Sequence, residues 1–396
     1  MLISKQYRVF KHSNLNPAVV LGINPNGNDM ELCLAKRKIN TYMVDFSHET
    51  AQSHEASIEQ QSEELLNWLQ NFIKINDCVT IFPSSDKFVL LLAKISPLLD
   101  NRFKYLLPDI SIIEQCIDKY RFFNFCKSIG IEAPETHVVK HVTDIDTLGD
   151  QFFPCIVKPY DNKKIPDEII NKVRVIDGRP QLRELAKKIL NYDEKFIAQK
   201  MIDGGSRDRY FVGGIITGNP DTDALFIGRK LREAPLVGGT TTHCRLEWND
   251  IVYDHFRNFA DKSGYVGLVD FEMMHDKSEN RYKLIEINPR IGAWHLVSKA
   301  GNNDIIYYYY NLLNNSVAEN YSPHSDGKTF LRLHNHYCSL LNELGFFRAI
   351  MTATKDLFNA SAVSGINLLS PEITYRSVRV AIGCTIKHLF GNPRPS

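Results

Sequence analysis

The stretch GLVDFEMMHDKSENRYKLIEINPR, residues 267–290, alternates apolar and polar side chains on either side of a polar run at 276–280. A period of two predicts two strands, and the polar run predicts the turn of an antiparallel hairpin. Side chains two apart share a face, so Asp270 sits with Glu272 and Glu286 sits with Asn288. If the strands pair across the turn, Glu272 and Glu286 meet on one side. Two carboxylates and an amide oxygen repel one another unless a cation joins them. An all-oxygen set with few ligands suits Mg²⁺ that also holds phosphates. A hairpin with one polar face in solvent shows the same alternation, so the surrounding chain decides between the two. The tripeptide Asn-Pro-Arg alone carries no weight. It recurs at 392–394 in a proline-rich tail with no acidic strand before it.

Upstream, PAVVLGINPNGNDMELCLAKRKINTYMVDFS (17–47) reads as strand, turn, helix and strand, a βαβ opening. Gly22 and Gly27 permit a tight turn, but their spacing is not the dinucleotide fingerprint. The turn reads either as a nucleotide site or as an ordinary βα connection. EELLNWLQNFIK (63–74), DCVTIFPSSD (77–86) and KFVLLLAKISPLL (87–99) continue the alternation of helix and strand, which favours a parallel sheet. From about residue 111 the pattern changes to a helix and turn (118–134), then the apolar strand FFPCIVKPYD (152–161), whose Lys158 needs a partner if buried. Strands follow at 195–202 and 209–217, and DALFIGRKLREAPLVGGTTTHCR (223–245) places Arg229, Lys230 and Arg232 before a glycine-rich loop.

In this order, Asp118-Lys119 before GIEAP, PCIVKP, FIAQKMIDGG, GRKLREAPLVGGTT and VDFE…LIEINPR, the chain resembles the ATP-grasp superfamily over about residues 15–300. The resemblance is strongest to carboxylate-amine ligases and carbamoyl-phosphate-synthase-like proteins. It implies an α/β fold class: an N-terminal Rossmann-like domain (1–110), a small α+β ATP-grasp lobe (111–196) and a large lobe with the metal site (197–305). A mainly helical C-terminal extension (306–396) would complete the chain.

The resemblance also implies roles. Lys119 and Lys158 would contact ATP phosphates, Gln199 the exocyclic amine, and the backbone at Met201 and Ile202 the adenine edge. Asp208 would reach the ribose. Glu272, Glu286 and Asn288 would hold Mg²⁺, with Mn²⁺ as the alternative, Asp270 would stand behind them, and Arg290 would face the transferred phosphoryl group or the activated carboxylate. Arg229, Lys230 and Arg232 would bind the γ-phosphate or substrate carboxylate, or else form a basic surface strand. These groups suit phosphoryl transfer, which is catalysed by positioning and charge neutralisation. The implied activity is an ATP-dependent carboxylate-amine or carboxylate-thiol ligase working through an acylphosphate. A carboxyphosphate- or carbamate-forming enzyme and a weakly catalytic ATP-binding regulator are the alternatives. One departure stands out: KPYDNKKIPDEIINKVRVI (158–176) lacks the family's glycine-rich flap, leaving Lys163 and Lys164 to supply charge there.

Composition agrees with a folded enzyme. The 396 residues carry 47 basic and 46 acidic side chains and are 43% hydrophobic, which excludes a disordered chain and gives no electrostatic footprint for nucleic acid. The longest apolar runs are broken by Lys94 and Pro97, short of the ~20 residues of a membrane span. The eight cysteines form no CxxC pair, so reduced thiols in a cytoplasmic protein are expected. The partners expected are small carboxylates and amines, with a homodimer the commonest assembly for such an enzyme. Near the C-terminus, Tyr307–Tyr310 reads as core, and the apolar segment 377–391 with flanking Arg376, Arg379 and Lys387 reads as packing on the body. His334 and His336 lack further ligands nearby, so no metal site is expected there.

Overall fold

The computed structural model describes residues 3–10, 13–46, 57–160, 165–166, 168–170, 173–192, 194–235, 238–292, 294–301, 303–315, 326–365 and 371–390. Lys163, Lys164 and the second Asn-Pro-Arg copy lie outside them, as do residues 236–237 of the glycine-rich loop.

The first unit contains β1 (Ile3–Arg8), β2 (Ala18–Leu21), α1 (Pro25–Ala35), β3 (Thr41–Phe46), α2 (Ile58–Phe72), β4 (Val79–Pro83), α3 (Asp86–Ile95) and β5 (Phe103–Lys104). The sheet order is β1-β3-β2-β4-β5, parallel except for the antiparallel edge strand β1. β2 is wholly buried because helices cover both faces of a parallel sheet, which explains its unbroken apolar run. The turn after β2 is tight. Gly22 has φ +109°, and a Cβ on Gly27 would lie 2.2 Å from the Gly22 carbonyl oxygen. Asn24 caps α1 by accepting the Gly27 N–H, and the Asn26 amide donates to the Ser84 and Ile291 carbonyls at 3.1 and 3.0 Å. The turn's polar groups therefore dock this unit onto the loop that follows residues 281–288.

Helices α4 (Ile110–Ile117) and α5 (Lys119–Ser128) lead into an antiparallel sheet of β6 (Thr136–Val139), β7 (Cys155–Pro159), β8 (Arg174–Ile176) and β9 (Phe196–Lys200), ordered β6-β9-β7-β8. α6 (Arg179–Leu190) buries Leu182, Leu185, Ala186 and Ile189, one helical face at spacings of three and four, in the core of this lobe.

The third unit contains β10 (Arg209–Ile216), β11 (Ala224–Ala234), β12 (Thr240–Leu246), α7 (Asp250–Ser263), β13 (Gly267–Asp276), β14 (Arg281–Asn288), α8 (Leu296–Ala300) and α9 (Ile305–Leu313). It continues with β15 (Thr329–Arg332), α10 (Leu333–Leu344), α11 (Phe346–Asn359), β16 (Ala362–Ser364) and α12 (Pro371–Phe390). Its sheet runs β14-β13-β10-β11-β12-β15-β16, so strands from the C-terminal segment extend it. One face packs on α7 through Phe256 and Phe259. On the other, Trp294 stacks on Phe211 with centroids 3.8 Å apart, in space that Gly213 leaves free: a Cβ there would lie 2.6 Å from the indole. Tyr309 and Tyr310 are buried as expected of core, and their hydroxyls reach the first unit, at the Leu106 N–H and the Asn16 carbonyl.

Two expectations are corrected. The cysteines are not all free thiols: a disulfide joins Cys338 on α10 to Cys384 on α12, while six others are unpaired. Spacing could not show this, because the pair forms only where α12 doubles back over α10. α12 rests on α10 through that bond and a Tyr337–Thr385 hydroxyl contact, yet leaves Val378, Ile382 and Ile386 more exposed than buried. Secondly, His336 does find further potential ligands, His243 on β12 and Asp356 on α11, which no local spacing could reveal. Among the described residues no helix is long and apolar enough to cross a membrane.

Candidate active site

The hairpin of β13 and β14 places Glu272 directly opposite Glu286 and Asp270 opposite Asn288. The register slips between Glu272 and Met273, where Ile285 is the extra residue, so the polar side chains keep one face while Phe271, Met273, Leu284 and Ile287 enter the core behind. Glu286 is exposed on a cavity wall, whereas Glu272 and Asp270 are buried.

Cations converge on this acidic face. Lys230 on β11 donates to Glu272 Oε2 at 2.6 Å, with both side chains nearly inaccessible. Burial alone would lower the Lys230 ammonium, but Glu272, with Glu286 and Glu233, outweighs it and raises the group above its ordinary value. Burial would raise the Glu286 carboxyl; Lys230, Lys158, Arg290 and Arg209 outweigh that and hold it below its ordinary value. Asp270 is the opposite case. Burial, aggravated by Glu272, pushes its carboxyl well above the ordinary range, Oδ1 has no partner, and Oδ2 accepts from the Asn288 amide at 3.3 Å.

Arg290 donates to Asn288 Oδ1 at 3.1 Å and pairs through Nε with Asp86, 2.9 Å away at the start of α3. Asp86 comes from the first unit, so that unit helps to orient the arginine.

Opposite the hairpin, Lys158 on β7 donates to Gln199 Oε1 at 3.0 Å, and the Gln199 amide donates to Thr136 at 2.9 Å. Lys119, at the start of α5, reaches the Pro159 carbonyl at 3.4 Å. A cavity of about 310 Å³ between the lobes is lined by Lys119, Lys158, Gln199, Met201, Ile202, Glu272 and Glu286, among others. An adjoining pocket of about 210 Å³ shares Lys119, Lys158 and Glu286 and extends to Asp86 and Asn288.

Other sequence candidates lie elsewhere. On β11, Lys230 pairs with Cys244, while Arg229 and Arg232 pair with Arg245 and His243 and therefore face the other side of the sheet. A bulge at Leu231 keeps both arginines on that side. Arg229 binds Glu247 and the Arg207 carbonyl, and Arg232 binds Glu343. Asp208 accepts the Gly205 N–H and pairs with Lys277 at 2.7 Å, and it does not line the cavity. The Met201 N–H is bound to the Pro154 carbonyl. The Gly22–Gly27 turn contributes nothing to either pocket.

Sequence reading missed Asp86 and the cavity-lining pair Arg209–Glu233, at 2.7 Å with Glu233 1% exposed. The only signal for Glu233 was its place beyond Lys230 on the same strand, hidden by the bulge.

The donors present fit a hard divalent cation: Glu272, Glu286 and the Asn288 oxygen are all oxygen groups on one face, backed by an unpartnered buried Asp270 oxygen.

Lys158 gives the site a pH signature. Burial lowers its ammonium to about 8, opposed by Glu286 and reinforced by Lys119. Its charge therefore weakens the ligand-free fold below about 8, a cost relieved as pH rises toward its ordinary 10.5. A bound polyphosphate reverses the preference by favouring the charged form. ATP affinity, measured by calorimetry, should weaken above pH 8 by up to about tenfold per unit. Lys158→Arg should flatten that profile because guanidinium stays charged. A wild-type profile that is flat through this range would remove Lys158 from the phosphate site.

No family model matches the chain. A D-aspartate ligase from Enterococcus faecium (strain Aus0004) is 23% identical over 195 residues, a match covering 46% of this chain and 46% of the relative, less than half its length. An N5-carboxyaminoimidazole ribonucleotide synthetase in an ADP complex superposes with a TM-score of 0.60 at 13% identity, covering 83% of this chain and 85% of that one. An L-amino acid ligase from Bacillus licheniformis gives a TM-score of 0.57 at 17% identity, covering 80% and 79%. The chain therefore shares the fold of these two enzymes, and its order of motifs from Lys119 to Arg290 resembles that of the ATP-grasp superfamily.

Proposed function

We propose that the protein is an ATP-dependent ligase that joins a small carboxylate to an amine, releasing ADP and phosphate. The observation that carries this is the Glu272–Glu286 cross-strand pair facing Lys158 across one cavity, with Lys230 bonded to Glu272 behind it and Arg290 beside it. The similarity to a D-aspartate ligase and the fold shared with an L-amino acid ligase support an amino acid as one substrate.

In this reading a carboxylate oxygen attacks the γ-phosphorus, the bond to the ADP oxygen breaks, and an acylphosphate forms. The amine then attacks the acyl carbon, phosphate leaves, and the amine's proton passes to solvent or phosphate. Lys119 and Lys158 bind the phosphates as point charges, Gln199 orients the adenine, and Arg290 offers a planar fork to the carboxylate or phosphoryl oxygens. Glu272, Glu286 and Asn288 would hold Mg²⁺, which when bound neutralises phosphate charge.

A second reading, phosphorylation of bicarbonate to carboxyphosphate, draws support from the fold shared with carboxyaminoimidazole ribonucleotide synthetases. Mg²⁺-dependent release of ADP and phosphate should be measured against pools of D- and L-amino acids, other small carboxylates, and bicarbonate, with Glu286→Ala alongside. Stimulation by a carboxylate pool, lost in the variant, is the expected result. Stimulation by bicarbonate alone favours the second reading, and ATP binding without stimulated release favours a regulatory ATP-binding role.

A further inference from the structure

We propose that His243, His336 and Asp356 form a zinc-class metal site that pins the C-terminal helices to the outer face of the large-lobe sheet. The three side chains come from separate elements, β12, α10 and α11, and offer ligand atoms all within 4.8 Å of one another. His336 Nε2 lies 2.9 Å from Asp356 Oδ2, and His243 Nδ1 lies 4.0 Å from the same oxygen. Four-coordinate zinc with bonds of roughly 2.0–2.2 Å sets its ligands about 3.3 Å apart. The observed separations bracket that value, so small side-chain rotations close the set.

His336 has no exposed surface and one hydrogen-bond partner, Asp356, and its Nδ1 has none. The imidazoles of His243 and His336 face each other edge-on with centroids 5.4 Å apart. Burial lowers both imidazoles, His243 to about 4, which leaves them in the neutral form that donates lone pairs to a metal. Of the other charges facing them, Arg232 is neutralised by Glu343 on α10, and Arg207 lies beyond. Two imidazoles with one carboxylate select a zinc-class ion, whereas the all-oxygen set at Glu272 and Glu286 suits Mg²⁺. Asp356 is partly exposed, which gives an entry path and room for a water as the remaining ligand.

His243 lies on the side of β12 shared with Arg232 and Arg245, away from Lys230. The metal therefore stands outside the ligase chemistry and acts on how β12, α10 and α11 are held together.

The test is Co²⁺ titration of the full-length protein in excess Mg²⁺, read by visible absorption, with thermal unfolding followed in Zn²⁺ and in EDTA. The expected result is one equivalent bound, a d–d band without the intense near-ultraviolet band of thiolate ligation, and a melting midpoint raised by Zn²⁺. His243→Gln and Asp356→Asn should each abolish the band, while Glu286→Gln retains it. Circular dichroism of each variant separates loss of the site from loss of the fold. The proposal is overturned if folded wild type shows no band, if the band survives in folded His243→Gln and Asp356→Asn, or if Glu286→Gln removes it.

Discussion

Replacing Glu286 with glutamine is expected to lower substrate-stimulated ADP release by on the order of 10²–10³-fold while leaving the fold intact. The side chain stands on the cavity wall, and the amide keeps its shape. What the change removes is a full negative charge facing Glu272 across the hairpin and surrounded by Lys230, Lys158, Arg290 and Arg209. Without it those four cations repel one another and the hard-ion donor set loses its charged partner. Turnover should fall, and the Mg²⁺ concentration for half-maximal rate should rise, with the thermal midpoint nearly unchanged. Unaltered Mg²⁺ dependence would show that Glu286 does not hold the ion.

The second large effect is on stability. Lys230→Met is expected to destabilise the protein by about 3–5 kcal/mol, because it strands the buried Glu272 carboxylate without its counter-ion. Lys230 is 2% and Glu272 6% exposed, so solvent offers little screening. A double variant, Lys230→Met with Glu272→Gln, removes both charges and should recover much of the loss. Urea denaturation of the three proteins without Mg²⁺ checks this. Equal losses in the single and double variants would mean that lost packing, not stranded charge, causes the effect. Added Mg²⁺ should stabilise the single variant more than wild type, since the ion would replace the missing ammonium at Glu272.

The hairpin could be read from sequence because its information is local. A period of two and a polar turn settle which residues share a face and which are opposed, and Glu272 indeed lies across from Glu286. The βαβ opening was legible for the same reason. The basic run at 229–232 was not. A single extra residue at Leu231 breaks the alternation, so one of three neighbouring cations turns to the site and two turn to the opposite face. Bulges of this kind leave no reliable mark in a lone sequence. Asp208 misled differently: it sits near the cavity in sequence order, but its carboxylate is used locally by Gly205 and Lys277.

The sequence by itself determined the fold class, the polar face of the hairpin and the two lysines opposite it, because each rests on periodicity or on the order of short motifs along the chain. Only the tertiary structure decided that Asp86 orients Arg290, that Arg209 pairs with Glu233, that Cys338 meets Cys384, and that His243, His336 and Asp356 converge. Those pairings join elements far apart in sequence, and packing of the sheet, rather than any local pattern, sets which side chains come within reach.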